Sequence, residues 1–228
     1  MSVGALLLCA GKGERLSAGV EKALVPLAGR PLFAWSLETL ERSSAIDGIV
    51  VVGPEMKLRE ALAAAGLAPR KMIAWTAGGR ERQDSVARGL AALPPQFTHV
   101  AVHDAARALV SVEVVGRAVA AALQFGAALA AIPLDDTLKR TTLDVIVDTV
   151  PRTGLHRAQT PQVFRRDWFE AAHAAAHGKA TDDAGLVEAL GHPVRVTPGD
   201  PLNFKITTTQ DLALAEAWLT ARATKATS

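Results

Sequence analysis

The residues best suited to chemistry follow an apolar run near the beginning of the chain. Val3–Leu8 is followed by a turn containing Gly11 and Gly13, and the side chains beyond it include the cations Arg15 and Lys22. Glycines let several backbone N–H groups converge on a phosphate. Arginine and lysine can stabilise the charge that spreads over phosphate oxygens during phosphoryl or nucleotidyl transfer. The stretch predicts a triphosphate site.

This turn departs from the two common nucleotide-binding motifs. Residues 11–16, GKGERL, lack the third glycine of the dinucleotide fingerprint, and no G-K-[ST] follows at the spacing of a P-loop. A tight turn carrying two solvated surface cations is therefore an open alternative on the local pattern alone. Other segments decide between the two interpretations.

Two residues far along the chain could complete such a site. Asp104 ends the apolar run His99–His103, and its carboxylate could hold Mg²⁺ while a nucleotide supplies further oxygen ligands. Its alternatives are a turn cap or an ion pair with Arg107. Lys205 lies within Leu202–Ile206, which predicts a short strand, so it is either an edge-strand lysine or a site residue.

The elements that must position these residues are predicted by hydrophobic periodicity. Helical stripes alternate as far as Pro133 with strand-like runs at Val3–Leu8, Asp47–Gly53, Lys71–Trp75, His99–His103 and Ala127–Pro133. This order predicts a doubly wound, mostly parallel α/β sheet with right-handed crossovers. Ligands bind beyond the carboxyl ends of such strands, where Gly11, Gly79 and Asp104 should meet unless ordinary loops align there by chance.

The alternation of strand and helix stops after Pro133. Thr137–Thr142 and Val145–Val150 flank Leu143-Asp144, which predicts a β-hairpin. We expect residues 136–162, long and polar, to protrude as a β-arm that covers the site or swaps onto another subunit. Beyond it we expect a strand at 193–197 and helices at 166–177, 183–190 and 208–223, all within one domain spanning residues 1–228.

Composition excludes several classes of function. The 228 residues carry a formal net charge of +2 with scattered cations, which argues against nucleic-acid binding. No segment has the run of about 20 apolar residues that a membrane span needs, and the N-terminus lacks a secretory signal. Cys9 is the one cysteine, expected in the core, and its isolation suits a reducing compartment. We therefore expect a cytoplasmic protein.

A set of short motifs occurs in an order that resembles one known family. The motifs are A-G-x-G-x-R, a following Lys, G-G-x-x-R-x-x-S, V-H-D-A-A-R, D-T-x-K, R-x-x-L-x-x-x-x-T-P-Q and N-x-K-I-T. They stand at Ala10–Arg15, Lys22, Gly78–Ser85, Val102–Arg107, Asp136–Lys139, Arg152–Gln162 and Asn203–Thr207. The ordered set resembles the 2-C-methyl-D-erythritol 4-phosphate cytidylyltransferases of the non-mevalonate isoprenoid pathway, over nearly the whole chain.

The resemblance implies a Rossmann-like nucleotidyltransferase fold, a homodimer joined through the β-arm, and Mg²⁺-dependent transfer of a cytidylyl group from CTP to methylerythritol phosphate. It implies that CTP is bound by Ala10, Gly11, Gly13, Gly79, Ser85 and Asp104, with Mg²⁺ on Asp104. Arg15 and Lys22 would stabilise the transition state. The residues implied for methylerythritol phosphate are Arg107, Thr137, Arg152, Thr160 and Lys205; among them Arg152 and Lys205 would orient it for attack.

Four positions depart from the family pattern, and three rival functions stay open. The departures are Glu21, Ala23, Arg80 and Ala108, which bear on loop conformation more than on charge. The nearest rival is a cytidylyltransferase for another polyol phosphate, such as ribitol 5-phosphate. The others are a nucleotidyltransferase that uses UTP, GTP or dTTP with a sugar phosphate, and a nucleotide sensor without turnover.

Overall fold

A seven-stranded sheet forms the centre of the protein, in a computed structural model that describes residues 1–11, 16, 21–176, 178 and 180–226. With strands numbered in chain order, its spatial order is β11 (Arg195–Pro198), β7 (Ala127–Pro133), β10 (His156–Arg165), β6 (His99–Asp104), β1 (Val3–Leu8), β4 (Gly48–Val52) and β5 (Met72–Thr76). All neighbours are parallel except at β10. The predicted doubly wound, mostly parallel sheet is confirmed.

Helices cover both faces of this sheet. They are α1 (Leu32–Arg42), α2 (Glu55–Ala64), α3 (Arg82–Ala92), α4 (Val112–Phe125), α5 (Arg166–Ala175), α6 (Asp183–Ala189) and α7 (Thr209–Ala226). Side chains of a strand alternate between faces. Leu7 thus packs in one core with α1, α2 and α4, while Leu6 packs in the other with α3, α5 and α6. Almost every residue of the inner strands is consequently buried.

The sheet contains one antiparallel strand that the sequence pattern did not predict. Strand β10 lies between β6 and β7, with Gln162 opposite Val102 and Leu129. We expected residues up to about 162 to belong to a protruding polar arm, and for the last of them this is wrong. The buried amide of Gln162 donates to Asp182 and accepts from the N–H of Ala184, so a polar residue is accommodated inside the sheet.

The hairpin itself is confirmed, and it stands apart from the central sheet. Strands β8 (Leu138–Thr142) and β9 (Val145–Val150) pair with each other, and both turn residues, Leu143 and Asp144, have positive φ angles of 48° and 64°. Two positive φ values match the twist of a two-residue hairpin turn. Most of its side chains are exposed.

The predicted strand at Leu202–Ile206 is wrong, because that segment has no regular secondary structure. Its polar groups are satisfied in other ways: the buried amide of Asn203 donates to the Thr160 carbonyl, and the N–H of Leu202 donates to Asp200. The N–H of Ile206 donates to the carbonyl of Ala106. Lys205 is therefore a loop residue held close to the end of β6.

Three short elements complete the described residues: a 3₁₀ turn at Lys22–Leu24 and the paired strands β2 (Pro26–Leu27) and β3 (Arg30–Pro31). In the part of the chain that the structure covers, no helix combines the length and the apolar character needed to cross a membrane.

The antiparallel strand should carry much of the stability of this fold. Phe164 in β10 is fully buried and stacks on Phe169 of α5 with ring centroids 4.7 Å apart. We expect Phe164→Ala to lower the free energy of unfolding, measured by urea denaturation, by about 3–5 kcal/mol, because it removes a core aromatic and leaves a cavity.

The matched control is Met56→Ala on α2, whose side chain is 75% exposed. It should change the free energy of unfolding by no more than about 0.5 kcal/mol. Equal effects of the two substitutions would contradict the placement of β10 in the sheet.

Candidate active site

The candidate site lies where β1 and β6 end side by side. These strands are parallel, and their register pairs Leu8 with Asp104. The N–H of Ala105 then donates to the carbonyl of Leu8, 3.1 Å away. The segment that follows β1 therefore starts beside the Asp104 carboxylate, as expected for the carboxyl edge of a parallel sheet.

Lys22 also lies at this edge. Its N–H donates to the carbonyl of Gly11 over 3.1 Å, so these two residues lie side by side. Arg15 and Gly13, both predicted site residues, lie outside the described residues. Glu21, where the family pattern has proline, pairs with Lys57 at 2.6 Å, and that hydrogen bond lowers the pKa of Glu21.

The second glycine turn is locked by its own side chains. The N–H of Gly79 donates to the Ser85 hydroxyl at 2.9 Å, and that hydroxyl donates to the Glu81 carbonyl at 3.2 Å. A Cβ at Gly79 would lie 2.1 Å from the Cβ of Asp84, so a larger residue does not fit there. Likewise, a Cβ at Gly78 would lie 2.2 Å from that of Ala10. The two turns therefore pack against each other.

Asp104 is a buried carboxylate between two cations. Lys205 Nζ lies 2.7 Å from its Oδ2, and Arg82 Nε lies 3.2 Å from its Oδ1. Burial acts to raise the pKa of Asp104, but the charges of Arg82 and Lys205 outweigh it and hold that pKa well below the usual range. The carboxylate is therefore ionised at neutral pH.

The alternative ion pair between Asp104 and Arg107 is wrong. Arg107 instead donates to the carbonyls of Asn203, at 2.8 Å, and Ala158, at 3.1 Å. It therefore ties the loop that carries Lys205 to the first half of β10, next to the site.

Arg82 is a site residue that the sequence reasoning missed. Its Nη2 lies 2.8 Å from Oδ2 of the buried Asp183 while its Nε contacts Asp104. A signal was present, because Arg82 follows the second glycine turn at a short distance, as Arg15 follows the first. Helix α6 begins at Asp183 as predicted, and Asp182 caps it by accepting from the N–H of Gly185. The ion pair of Asp183 with Arg82 was not predicted.

Seven of the predicted residues line one cavity of about 480 Å³: Ala10, Gly11, Lys22, Gly79, Ser85, Asp104 and Lys205. Arg80, Glu81 and Arg82 line it as well. A wider hollow of about 850 Å³ lies around Phe125 and Trp168 at the opposite edge of the sheet, and no predicted site residue lines it. The smaller cavity is thus the candidate active site.

Thr160 lies beneath this cavity. Its buried hydroxyl accepts from the N–H of Asp104 at 3.1 Å and lies 3.0 Å from His103 Nδ1. Burial lowers the pKa of His103 to about 4, so its ring is neutral and Nδ1 can accept the Thr160 hydroxyl proton. In this arrangement Thr160 positions the backbone of Asp104.

Two predicted residues lie on the arm. Thr137 precedes β8, Arg152 follows β9, and both are exposed outside the lining of the cavity. Within one chain the structure does not bring them together with Asp104 and Lys22. Their predicted roles stay predictions.

The cavity suits a polyphosphate bound by charge and backbone N–H groups. Lys22, Arg80, Arg82 and Lys205 supply positive charge, and Asp104 supplies an ionised oxygen ligand. Burial raises the pKa of the Cys9 thiol far above its usual range, so Cys9 is an inert core residue, as expected. Histidine is absent from the described lining residues. These features favour electrostatic catalysis over a side-chain nucleophile.

Comparison with known proteins agrees with this geometry. The family model for 2-C-methyl-D-erythritol 4-phosphate cytidylyltransferase matches residues 3–221. A protein of that name from Frankia casuarinae is 47% identical over 95% of this chain and 81% of its own length. Another, from a Synechococcus species, is 43% identical over 95% of this chain and 99% of its own length.

Solved structures agree in fold. A crystal structure of 2-C-methyl-D-erythritol 4-phosphate cytidylyltransferase from Thermus thermophilus is 36% identical, with a TM-score of 0.77 over 96% of this chain and 98% of that one. A 4-diphosphocytidyl-2C-methyl-D-erythritol synthase from Anaerococcus prevotii superposes with a TM-score of 0.83 at 28% identity, covering 96% of both chains. On the match of nearly its whole length, the chain belongs to the 2-C-methyl-D-erythritol 4-phosphate cytidylyltransferase family.

Proposed function

We propose that this protein transfers the cytidylyl group of CTP to 2-C-methyl-D-erythritol 4-phosphate, giving 4-diphosphocytidyl-2-C-methyl-D-erythritol and diphosphate in isoprenoid precursor synthesis. The observation that carries the proposal is the convergence of Gly11, Gly79, Lys22, Asp104 and Lys205 on one cavity in a chain of this family. The single cysteine, free and buried, supports a reducing, cytoplasmic location.

The reaction needs positioning more than proton transfer. A phosphomonoester has a second pKa near 6, so its oxygen is a ready nucleophile at neutral pH. That oxygen forms a bond to the α-phosphorus of CTP, and the bond to the diphosphate leaving group breaks. Lys22 and Arg15, which precedes it by seven positions in the sequence, would stabilise the charge on the α-phosphate, while Lys205 would bind the phosphate of the polyol.

Asp104 is suited to hold Mg²⁺. Its carboxylate is ionised, and each of its oxygens can accept two contacts but has, among the described residues, one cationic partner, Arg82 or Lys205. When bound, the metal would offset charge on the phosphate oxygens of CTP. Lys205 has a side chain that is 42% exposed, so it could turn from Asp104 towards the polyol phosphate.

A homodimer would complete the site. The arm exposes apolar side chains far from its own core, with Leu143 93% and Val145 65% exposed. Such a surface favours burial against another chain. We propose that the arm packs on a second copy, so that Thr137 and Arg152 serve the partner's site beside Arg107 and Lys205.

A substrate panel tests the proposed reaction. Diphosphate release should be fastest with CTP and methylerythritol phosphate, compared with UTP, GTP, dTTP and ribitol 5-phosphate. Lys22→Ala should lower kcat by about 10²-fold or more, because it removes a cation from the transition state. Binding of CTP without release of diphosphate under any condition would instead favour a sensor, and faster release with ribitol 5-phosphate would change the substrate.

Two glycine variants separate the binding of phosphate from the folding of the turns. A Cβ at Gly11 would meet none of the other described residues within 4 Å, so Gly11→Ala should keep the melting temperature of the free protein. The variant should lose most of the stabilisation that CTP gives the folded protein, which is about 2.7 kcal/mol at a CTP concentration of 100 times Kd. Thermal shift with and without CTP measures both effects.

Gly79→Ala is the contrasting variant, because its Cβ would overlap Asp84. It should lower the free energy of unfolding by about 1–3 kcal/mol even without CTP. If CTP stabilised Gly11→Ala as much as the wild-type protein, that result would contradict a role for Gly11 in binding phosphate.

Mixed dimers test whether the arm serves the partner. If each site combines Lys22 of one subunit with Arg152 of the other, a dimer of one Lys22→Ala and one Arg152→Ala chain contains one intact site. Co-expression of the two inactive variants should then restore about a quarter of wild-type activity per subunit. If both residues act within one chain, no mixed dimer has an intact site, and activity stays at the level of the single variants.

A further inference from the structure

Arg82 joins the candidate active site to a carboxylate on another element. It is the first residue of α3, and its guanidinium lies between Asp104 at the end of β6 and Asp183 at the start of α6. Nε is 3.2 Å from Asp104 Oδ1, and Nη2 is 2.8 Å from Asp183 Oδ2. The Asp183 side chain is 2% exposed, so this anchor is inside the protein. A planar guanidinium can hold two carboxylates in a defined geometry.

The two cations on Asp104 are held differently. Lys205 approaches Oδ2 from a loop with a side chain 42% exposed. Arg82 approaches Oδ1 and is also paired with the buried Asp183. A triphosphate entering the cavity can draw Lys205 away, but moving Arg82 would leave the buried Asp183 without its charged partner, which is costly.

We propose that Arg82, anchored by Asp183, is a positioning residue that sets the orientation of the Asp104 carboxylate for the transfer reaction. The inference rests on the proposed function for its kinetic consequence. Because Arg82 contacts Oδ1 of Asp104, Oδ2 stays directed at Lys205 and the cavity. The ion pair with Asp183 keeps the Arg82 guanidinium from moving towards the phosphates of CTP. A displacement of about 1 Å in such a site can cost up to 10²-fold in rate.

A double-mutant cycle tests this arrangement. Arg82→Ala and Asp183→Ala should each lower kcat about tenfold, and the double variant should lie close to either single variant, because both act through the same contact. In Asp183→Ala, which changes a residue outside the lining of the cavity, the Kd for CTP, measured by calorimetry, should change less than threefold. Arg82→Lys should resemble Asp183→Ala, since an ammonium cannot bridge both carboxylates in the same way.

Controls separate positioning from folding. Arg166 is the matched control: its guanidinium donates to the carbonyls of Leu93 and Pro94 at the opposite edge of the sheet, with a side chain 18% exposed. Arg166→Ala should lower the melting temperature and leave kcat unchanged at temperatures where it is folded. If Asp183→Ala does not fold, Asp183→Asn keeps the side-chain size and removes the charge.

The remaining outcomes separate a failure of the inference from a failure of the proposed function. Wild-type kcat in folded Asp183 variants would overturn it, as would additive losses in the double variant. A rise in the Kd for CTP that matches the loss of kcat would make Arg82 a direct nucleotide ligand instead. A wild-type protein without turnover would overturn the proposed function; a crystal structure of Asp183→Asn would still test the inference, which requires Asp104 to rotate away from Lys205.

Discussion

The candidate site depends on the neutralisation of one buried carboxylate. Asp104 ends a central strand with a side chain 11% exposed, where an unpaired charge would be strongly unfavourable. Arg82 and Lys205 come from separate segments of the chain and offset that cost. The same contacts bring α3 and the loop 199–208 to the edge of the sheet. Electrostatics thereby organises a cavity that the apolar core alone would not shape.

The candidate site also depends on the parallel register of the sheet. Because Leu8 pairs with Asp104, the turn after β1 begins next to the carboxylate that ends β6. The close approach of Gly78 to Ala10 then joins the second turn to the first. The family relationship fits this arrangement, in which backbone N–H groups and side-chain cations share the binding of anions.

Local patterns in the sequence predicted the parts of the structure that local physics controls. Apolar runs predicted β1, β5 and β6, and the positions of Gly11, Gly79 and Asp104 at the carboxyl ends of these strands predicted that they lie at one edge. The pattern could not predict β10, because Gln159 and Gln162 are satisfied by Asp200, Asp182 and Ala184, which are distant in sequence. Arg82 was missed for the same reason: Asp183, its anchor, is about 100 residues away. The prediction of a strand around Lys205 was wrong because hydrogen bonds with side chains take the place of sheet pairing in that segment.

The position of β10 also constrains the order in which the chain can fold. Strand β10 pairs with β7 through residues as near as Pro133 and His156, 23 positions apart, whereas β1 pairs with β6 through Leu8 and Asp104, 96 positions apart. Closing a longer loop costs more chain entropy before any contact rewards it. Strands β6, β7 and β10 can therefore assemble as one unit and β1, β4 and β5 as another, and the pairing of β1 with β6 that joins the two units closes the longest loop. The cavity between them is completed in the final stage of folding.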